Sequence, residues 1–147
     1  MKEKMFNWKD FINLSEELIN GFGTQYEEAL YRTIISRSYY GIFKQVEDKL
    51  KELNISLPSK DSKGKKLSSH ERVIFYLQNH NDERARDFGD LLDDLKRQRH
   101  KADYNAQVSI NEIDAKEALE LALELRNEWK NQIKLTMSTF NLLPKVL

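Results

Sequence analysis

The run Leu30-Tyr-Arg-Thr-Ile-Ile-Ser-Arg-Ser-Tyr-Tyr-Gly-Ile-Phe-Lys-Gln-Val-Glu-Asp-Lys-Leu-Lys-Glu-Leu53 decides the fold. Tyr31, Ile35, Tyr39, Ile42, Val46, Leu50 and Leu53 recur at the spacing of one face of an α-helix. A second set, Leu30, Ile34, Arg37 and Gly41, has the same spacing but lies about 120–160° round the axis, at about 100° per residue. A helix reaching from about Gln25 to Leu53 is therefore buried on two sides and belongs in the middle of a helical assembly. Gly41 in its interior is unfavourable by about 1 kcal/mol, which a close approach by another backbone explains.

Outward from that run the periodicity stays helical, with only 5 glycines and 2 prolines to interrupt it. A first helix runs from Trp8 to Asn20, with Phe11, Leu14, Leu18 and Ile19 inward and Gly21 and Gly23 as its stop. Asn54 to Leu67 hold Pro58, Gly64 and most of the loop charge, and read as a connection. Ser68 with Glu71 forms a capping box that opens a third helix through Val73, Ile74 and Leu77. The fourth covers Asp82 to Tyr104 on Phe88, Leu91, Leu92 and Leu95. Ser109 with Glu112 is a second such box, opening a fifth helix whose inner face is Ala115, Ala118, Leu119, Ala122, Leu125, Trp129 and Ile133. An apolar tail follows Thr136. Nothing alternates with period two for long, so the sequence predicts an all-α, up-and-down bundle of about five helices, at least about 60% helical, in one domain over residues 1–147.

The 24 basic and 24 acidic residues cancel, so no global field draws this chain to nucleic acid or anionic membrane, and any such contact needs a local patch. With no cysteine, disulfides, thiolate metal sites and cysteine nucleophiles are excluded. No stretch approaches the ~18 apolar residues of a membrane span, and the segment Met1 to Trp8 lacks the apolar core of a secretory signal. The expectation is a soluble, cytoplasmic protein with no membrane association. Glycine-rich phosphate loops, paired-histidine zinc helices and glycine-flanked serine nucleophiles are all missing. His70 and His80 have no suitably spaced second ligand, so no metal or other cofactor is expected, and the two read as a cap-region residue and a helix-end residue.

Chemistry concentrates in Leu95-Lys-Arg-Gln-Arg-His-Lys-Ala-Asp-Tyr104. With the core direction marked by Phe88, Leu91 and Leu95, Arg99 lies within about 40° of it and Asp103 within about 80°. Opposite charges one helical turn apart predict a partly buried Arg99 to Asp103 pair. Arg97, His100 and Tyr104 fall on an outward arc of about 60°. A permanent cation, an imidazole and a phenol together are equipment for holding a phosphodiester and moving a proton. The same face also suits a solvated surface or a dimer contact. Lys101 completes this basic patch, while the other one, Lys60 to Lys66, is a solvated loop. In Ser36 to Phe43 the aromatics read as core or as a stacking platform, and Arg37, a long cation on an apolar stripe, wants an anion.

Taken together, Arg32-Thr-Ile-Ile-Ser-Arg-Ser-Tyr-Tyr-Gly-Ile-Phe43, a histidine opening the next helix at His70, and a helix ending Arg99-His-Lys-Ala-Asp-Tyr104 resemble the bacterial HEPN family, over roughly Trp8 to Ile133. The resemblance implies a helical bundle that dimerises with the arginine motif at the subunit junction. It implies either a metal-independent endoribonuclease of toxin–antitoxin or phage-defence systems, or a non-catalytic partner of a small nucleotidyltransferase. Arg99, His100 and Tyr104 then stand in the catalytic positions, and Arg37, Arg97 and Lys101 bind RNA or a nucleotide. Catalytic members carry an arginine, a polar residue and a histidine about four to six residues beyond the arginine. Arg99 and His100 match the first two, but Tyr104 stands where the histidine belongs. A phenol with a pKa of about 10 is a poor base at neutral pH. The expectation is therefore binding of RNA, a nucleotide, or a nucleotidyltransferase or antitoxin partner. The alternative is an endoribonuclease in which His100 moves the proton, and a helical scaffold without ligand is the third reading. The second stripe of the long helix and the apolar tail exceed what one bundle buries, so a homodimer is expected.

Overall fold

The structure, a computed structural model, describes residues 6–21 and 26–133. Five α-helices carry the described chain: α1 (Lys9–Gly21), α2 (Glu27–Glu52), α3 (Ser69–Gln78), α4 (Glu83–Tyr104) and α5 (Glu112–Glu128), the last running into a π-helical turn at Trp129–Ile133. Among the described residues there is no strand, only one isolated bridge between Lys60 and Lys66. None of these helices is long and apolar enough to cross a membrane.

Its two apolar stripes make α2 the central element, packed against α1, α4 and α5. Ile35, Tyr39, Ile42, Phe43, Val46 and Leu50 are buried from its first face and Ile34 and Gly41 from the second. Phe88, Leu92 and Leu95 of α4 complete the core with Ala115, Ala118, Ala122 and Leu125 of α5, whose small side chains let that helix approach closely. Each large apolar side chain fully buried here contributes about 1.5–3 kcal/mol. The glycine in α2 has the expected reason: a Cβ at Gly41 would lie 2.5 Å from Ile12 Cγ1 of α1. Gly89 does the same between α4 and α3, where a Cβ would lie 2.9 Å from that of Leu77.

That contact also corrects the reading of α1. Ile12 and Ser15 are its fully buried residues, while Leu14, expected inward, is 42% exposed; Leu18 and Ile19 pack at the margin of the core, and Phe11 is half-buried against the Arg37 guanidinium. The helix turns so that Ile12 fills the space over Gly41, and the buried Ser15 hydroxyl donates to the carbonyls of Phe11 (3.0 Å) and Ile34 (3.3 Å). The second stripe of α2 is thus covered within the same chain and is not surplus surface for a dimer. The apolar tail and Gly23 lie outside the described residues, as does the side chain of Ile133.

Ser68 and Glu71 form the predicted capping box of α3. The one at α5 is shifted: Asn111 caps the helix with Asp114, not Ser109 with Glu112. Starting there leaves Ile110 just ahead of the cap, where it is buried, whereas a cap at Ser109 would place it in the first turn. Leu91 is only partly buried. The connection from Asn54 to Leu67 is tied down. The Asp61 carboxylate accepts from the Lys63 and Lys65 amides, and the Arg72 guanidinium donates to the carbonyls of Leu57 and Pro58.

Candidate nucleotide-binding site

The buried stripe of α4 runs Phe88, Leu92, Leu95, Arg99, Ala102. Arg99 therefore occupies a position that the helix pattern reserves for an apolar residue, and it is only 7% exposed. Its guanidinium carbon lies 5.3 Å from the ring centres of both Tyr39 and Tyr40 on α2, and 5.6 Å from that of Tyr104 on its own helix. Nη1 donates to Asp103 Oδ2 at 3.4 Å and to the Tyr104 hydroxyl at 3.5 Å, while Nε is buried with no partner among the described residues. Both bonds are longer than the 2.7–2.9 Å typical of charge-assisted contacts. Burial works against the charge on Arg99, but the hydroxyls of Tyr40, Tyr104 and Tyr39 and the carboxylate of Asp103 together raise its pKa.

Asp103 links the two helices. Its Oδ2 also accepts from Ser36 Oγ at 3.1 Å, and Arg37 Nη2 lies 3.4 Å from that same hydroxyl. Arg37 is stacked on the rings of Phe11 (5.0 Å) and Tyr40 (5.4 Å). Two guanidiniums thus share one tyrosine ring and reach one carboxylate, directly or through a serine. A cleft of about 330 Å³, lined by Glu28, Arg32, Ala102, Asp103, Tyr104 and Ala106, opens beside Asp103. Asp103 has a side chain 25% exposed and stands between this cleft and Arg99.

Arg32 holds this end of α4 in place. Its guanidinium donates to the carbonyls of Lys101 (3.2 Å), Ala102 (2.9 Å), Asn105 (3.1 Å) and Val108, and its Nε to Glu28 at 3.0 Å. Lys101 and Ala102 lie in the last turn of α4, Asn105 is its C-cap and Val108 follows in the loop, so Arg32 ties the helix end to that loop and offsets the negative end of the helix dipole.

On the far side of Tyr39 stands His70. The fully buried Tyr39 hydroxyl, its pKa pushed far up by burial, is 2.6 Å from His70 Nδ1. The contact holds the imidazole through Nδ1, with the donor set by its tautomer. The ring lies flat on Phe43 at 4.2 Å. Burial lowers the His70 pKa, with Arg99, Lys96 and Lys44 adding to the effect and Glu47 opposing it.

Of the residues singled out from sequence, Arg99, Asp103, Tyr104 and Arg37 meet in one place, and the His100 ring meets Tyr104 at a tilt, 5.1 Å between centroids, at the exposed rim. Arg97 does not join them: it is 71% exposed and pairs with Asp93 (2.6 Å) and Asp94 (4.0 Å) one turn back. Lys101 is exposed, and its carbonyl accepts from the Asn105 amide and from Arg32. Sequence reasoning missed Ser36, Tyr39 and Tyr40 as site residues, Arg32 as the group that secures the helix end, and His70 as more than a cap-region residue. The signal for the first three was a serine and two tyrosines beside an arginine on a core helix. His80 is a helix-junction residue as expected, its Nδ1 accepting from the Asp82 amide. Among the described residues no group of three histidine, aspartate or glutamate side chains gathers to hold a metal ion. No family model, curated protein or solved structure matches this chain.

Proposed function

We propose that this chain is a HEPN-type helical protein of a toxin–antitoxin or phage-defence system that binds RNA or a nucleotide at the site around Arg99. A nucleotidyltransferase or antitoxin is its partner, and the cytoplasm its compartment. What carries the reading is one observation: the two segments on which the resemblance rests, far apart in sequence, converge in space. Ser36, Tyr39 and Tyr40 surround Arg99 and Asp103. A cation held at a core position among tyrosine rings, with a second arginine beside it and a cleft in front, is suited to a phosphate with an adjoining base or sugar. Binding is favoured over cutting because the half-buried His70 has Nδ1 engaged by Tyr39, and Tyr104 is a phenol where proton transfer calls for an imidazole.

The test is fluorescence anisotropy of a labelled single-stranded oligoribonucleotide with the full chain. Affinity of about micromolar or tighter at low salt is expected, falling steeply as salt rises. Arg37→Gln combined with His100→Ala, both away from the buried core, is expected to weaken it by at least about tenfold. A wild-type chain that retains no RNA at low ionic strength leaves the scaffold reading in its place.

A further inference from the structure

We propose that the ligand group of this site is a phosphomonoester, the terminal phosphate of an RNA strand or of a free nucleotide, and that Asp103 selects it by occupying the place of the anion. The inference rests on the nucleotide-binding reading above and names the chemical class it takes.

Asp103 is an internal anion paired with Arg99 and linked to Arg37 through the Ser36 hydroxyl. It bonds Arg99 at 3.4 Å and takes the Ser36 hydroxyl that Arg37 also reaches. It does not saturate Arg99: the guanidinium has five donors, and the described contacts are two long bonds from Nη1 with Nε buried and unpartnered. The carboxylate, like the Tyr104 hydroxyl, stands between the cleft and Arg99, lining the one and touching the other. In the proposed bound state its side chain turns outward, so that a ligand in the cleft meets Arg99 first, with the Ser36 hydroxyl and Arg37 next to it.

Such an arrangement discriminates by charge. An internal phosphodiester carries one negative charge, as Asp103 does, and must displace a group tethered in place at high effective concentration, so it gains little. A phosphomonoester carries close to two charges at neutral pH and three strong acceptor oxygens. It matches two guanidiniums and a hydroxyl better than one carboxylate does. The capping of α4 by Arg32 lets an anion sit at a helix C-terminus that would otherwise repel it.

The experiment compares one oligoribonucleotide labelled at its 3′ end with either a 5′-phosphate or a 5′-hydroxyl, bound to the full chain at pH 7.5, with adenosine 5′-monophosphate and adenosine as competitors. The phosphorylated strand is expected to bind at least about tenfold tighter, and the monophosphate but not the nucleoside to displace it. Asp103→Asn keeps the shape and removes the charge, so it is expected to raise affinity for the 5′-hydroxyl strand and shrink the preference, while Arg37→Gln shrinks it from the other side. Equal binding of both strands to wild type overturns the inference and leaves the RNA-binding reading standing. Failure of both strands to bind overturns both.

Discussion

Arg99 replaces an apolar side chain in the stripe Leu92, Leu95, Arg99, Ala102, and that substitution organises everything around it. A buried guanidinium is tolerated only where rings and acceptors compensate its lost hydration. Tyr39, Tyr40 and Tyr104 supply the rings, Asp103 the single carboxylate. Removing that carboxylate leaves an uncompensated buried cation, whereas removing a surface partner does almost nothing. Asp103 lies between those limits, with a quarter of its side chain exposed. Asp103→Ala is therefore expected to lower stability by about 1–2 kcal/mol, read as a shift of the urea midpoint with unchanged slope. A midpoint identical to wild type would mean that water, not Asp103, balances Arg99.

The last turn of α4, with Asp103 and Tyr104 on it, is held from outside by Arg32. Replacing Arg32 by alanine strips hydrogen bonds from four carbonyls at once. The expected loss is about 2 kcal/mol or more, with faster amide exchange confined to the end of α4 and the loop to Val108; uniform loss of protection along the chain would contradict this local role. How far such relations were legible in the sequence depends on what sets them. Helical direction alone put Arg99 and Asp103 inward and Arg97, His100 and Tyr104 outward, because those are properties of one helix. The glycine in the second stripe of α2 correctly announced a close neighbour. Which face of α1 would meet it was not legible, since Phe11, Leu14 and Leu18 form as good a stripe as Ile12 and its neighbours, and the choice is made by fit over Gly41. Two overlapping capping boxes both satisfied the local rule at α5, and the burial of Ile110 decided between them. Arg32 showed in sequence only as the i+4 partner of Glu28, because the carbonyls it ties at the end of α4 have no sequence signature. The Tyr39 to His70 bond bridges 31 residues across a loop that no periodicity constrains.

Across the whole molecule, the histidines set how the fold responds to acid. His70 joins the start of α3 to the Tyr39 hydroxyl of α2, and His80 sits at the junction of α3 and α4, where its Nδ1 accepts from the Asp82 amide. Both pKa values are lowered from 6.5: His70 by burial and then by Arg99, Lys96 and Lys44 against Glu47, His80 by burial and then by Arg86 against Asp82. A folded-state pKa below the unfolded one means that the unfolded chain binds more protons in the window between them, so stability rises with pH there. The contribution of the neutral imidazoles is complete above the unfolded value of 6.5 and is lost as pH falls through the lowered folded values. The lowered carboxyls of Glu71 and Asp82, held by hydrogen bonds from Ser68 and Arg84, act in the same direction further down, below their ordinary values of 4.5 and 3.8. The urea midpoint is therefore expected to fall in two stages on acidification, the first beginning near pH 6.5 and the second where the lowered carboxyls of Glu71 and Asp82 protonate. In His70→Gln the first stage shrinks, because an amide still meets the Tyr39 hydroxyl but does not titrate, and combining it with His80→Gln removes that stage altogether. Identical profiles for wild type and the double variant between pH 7 and about 5 would show that neither imidazole is held neutral by the fold.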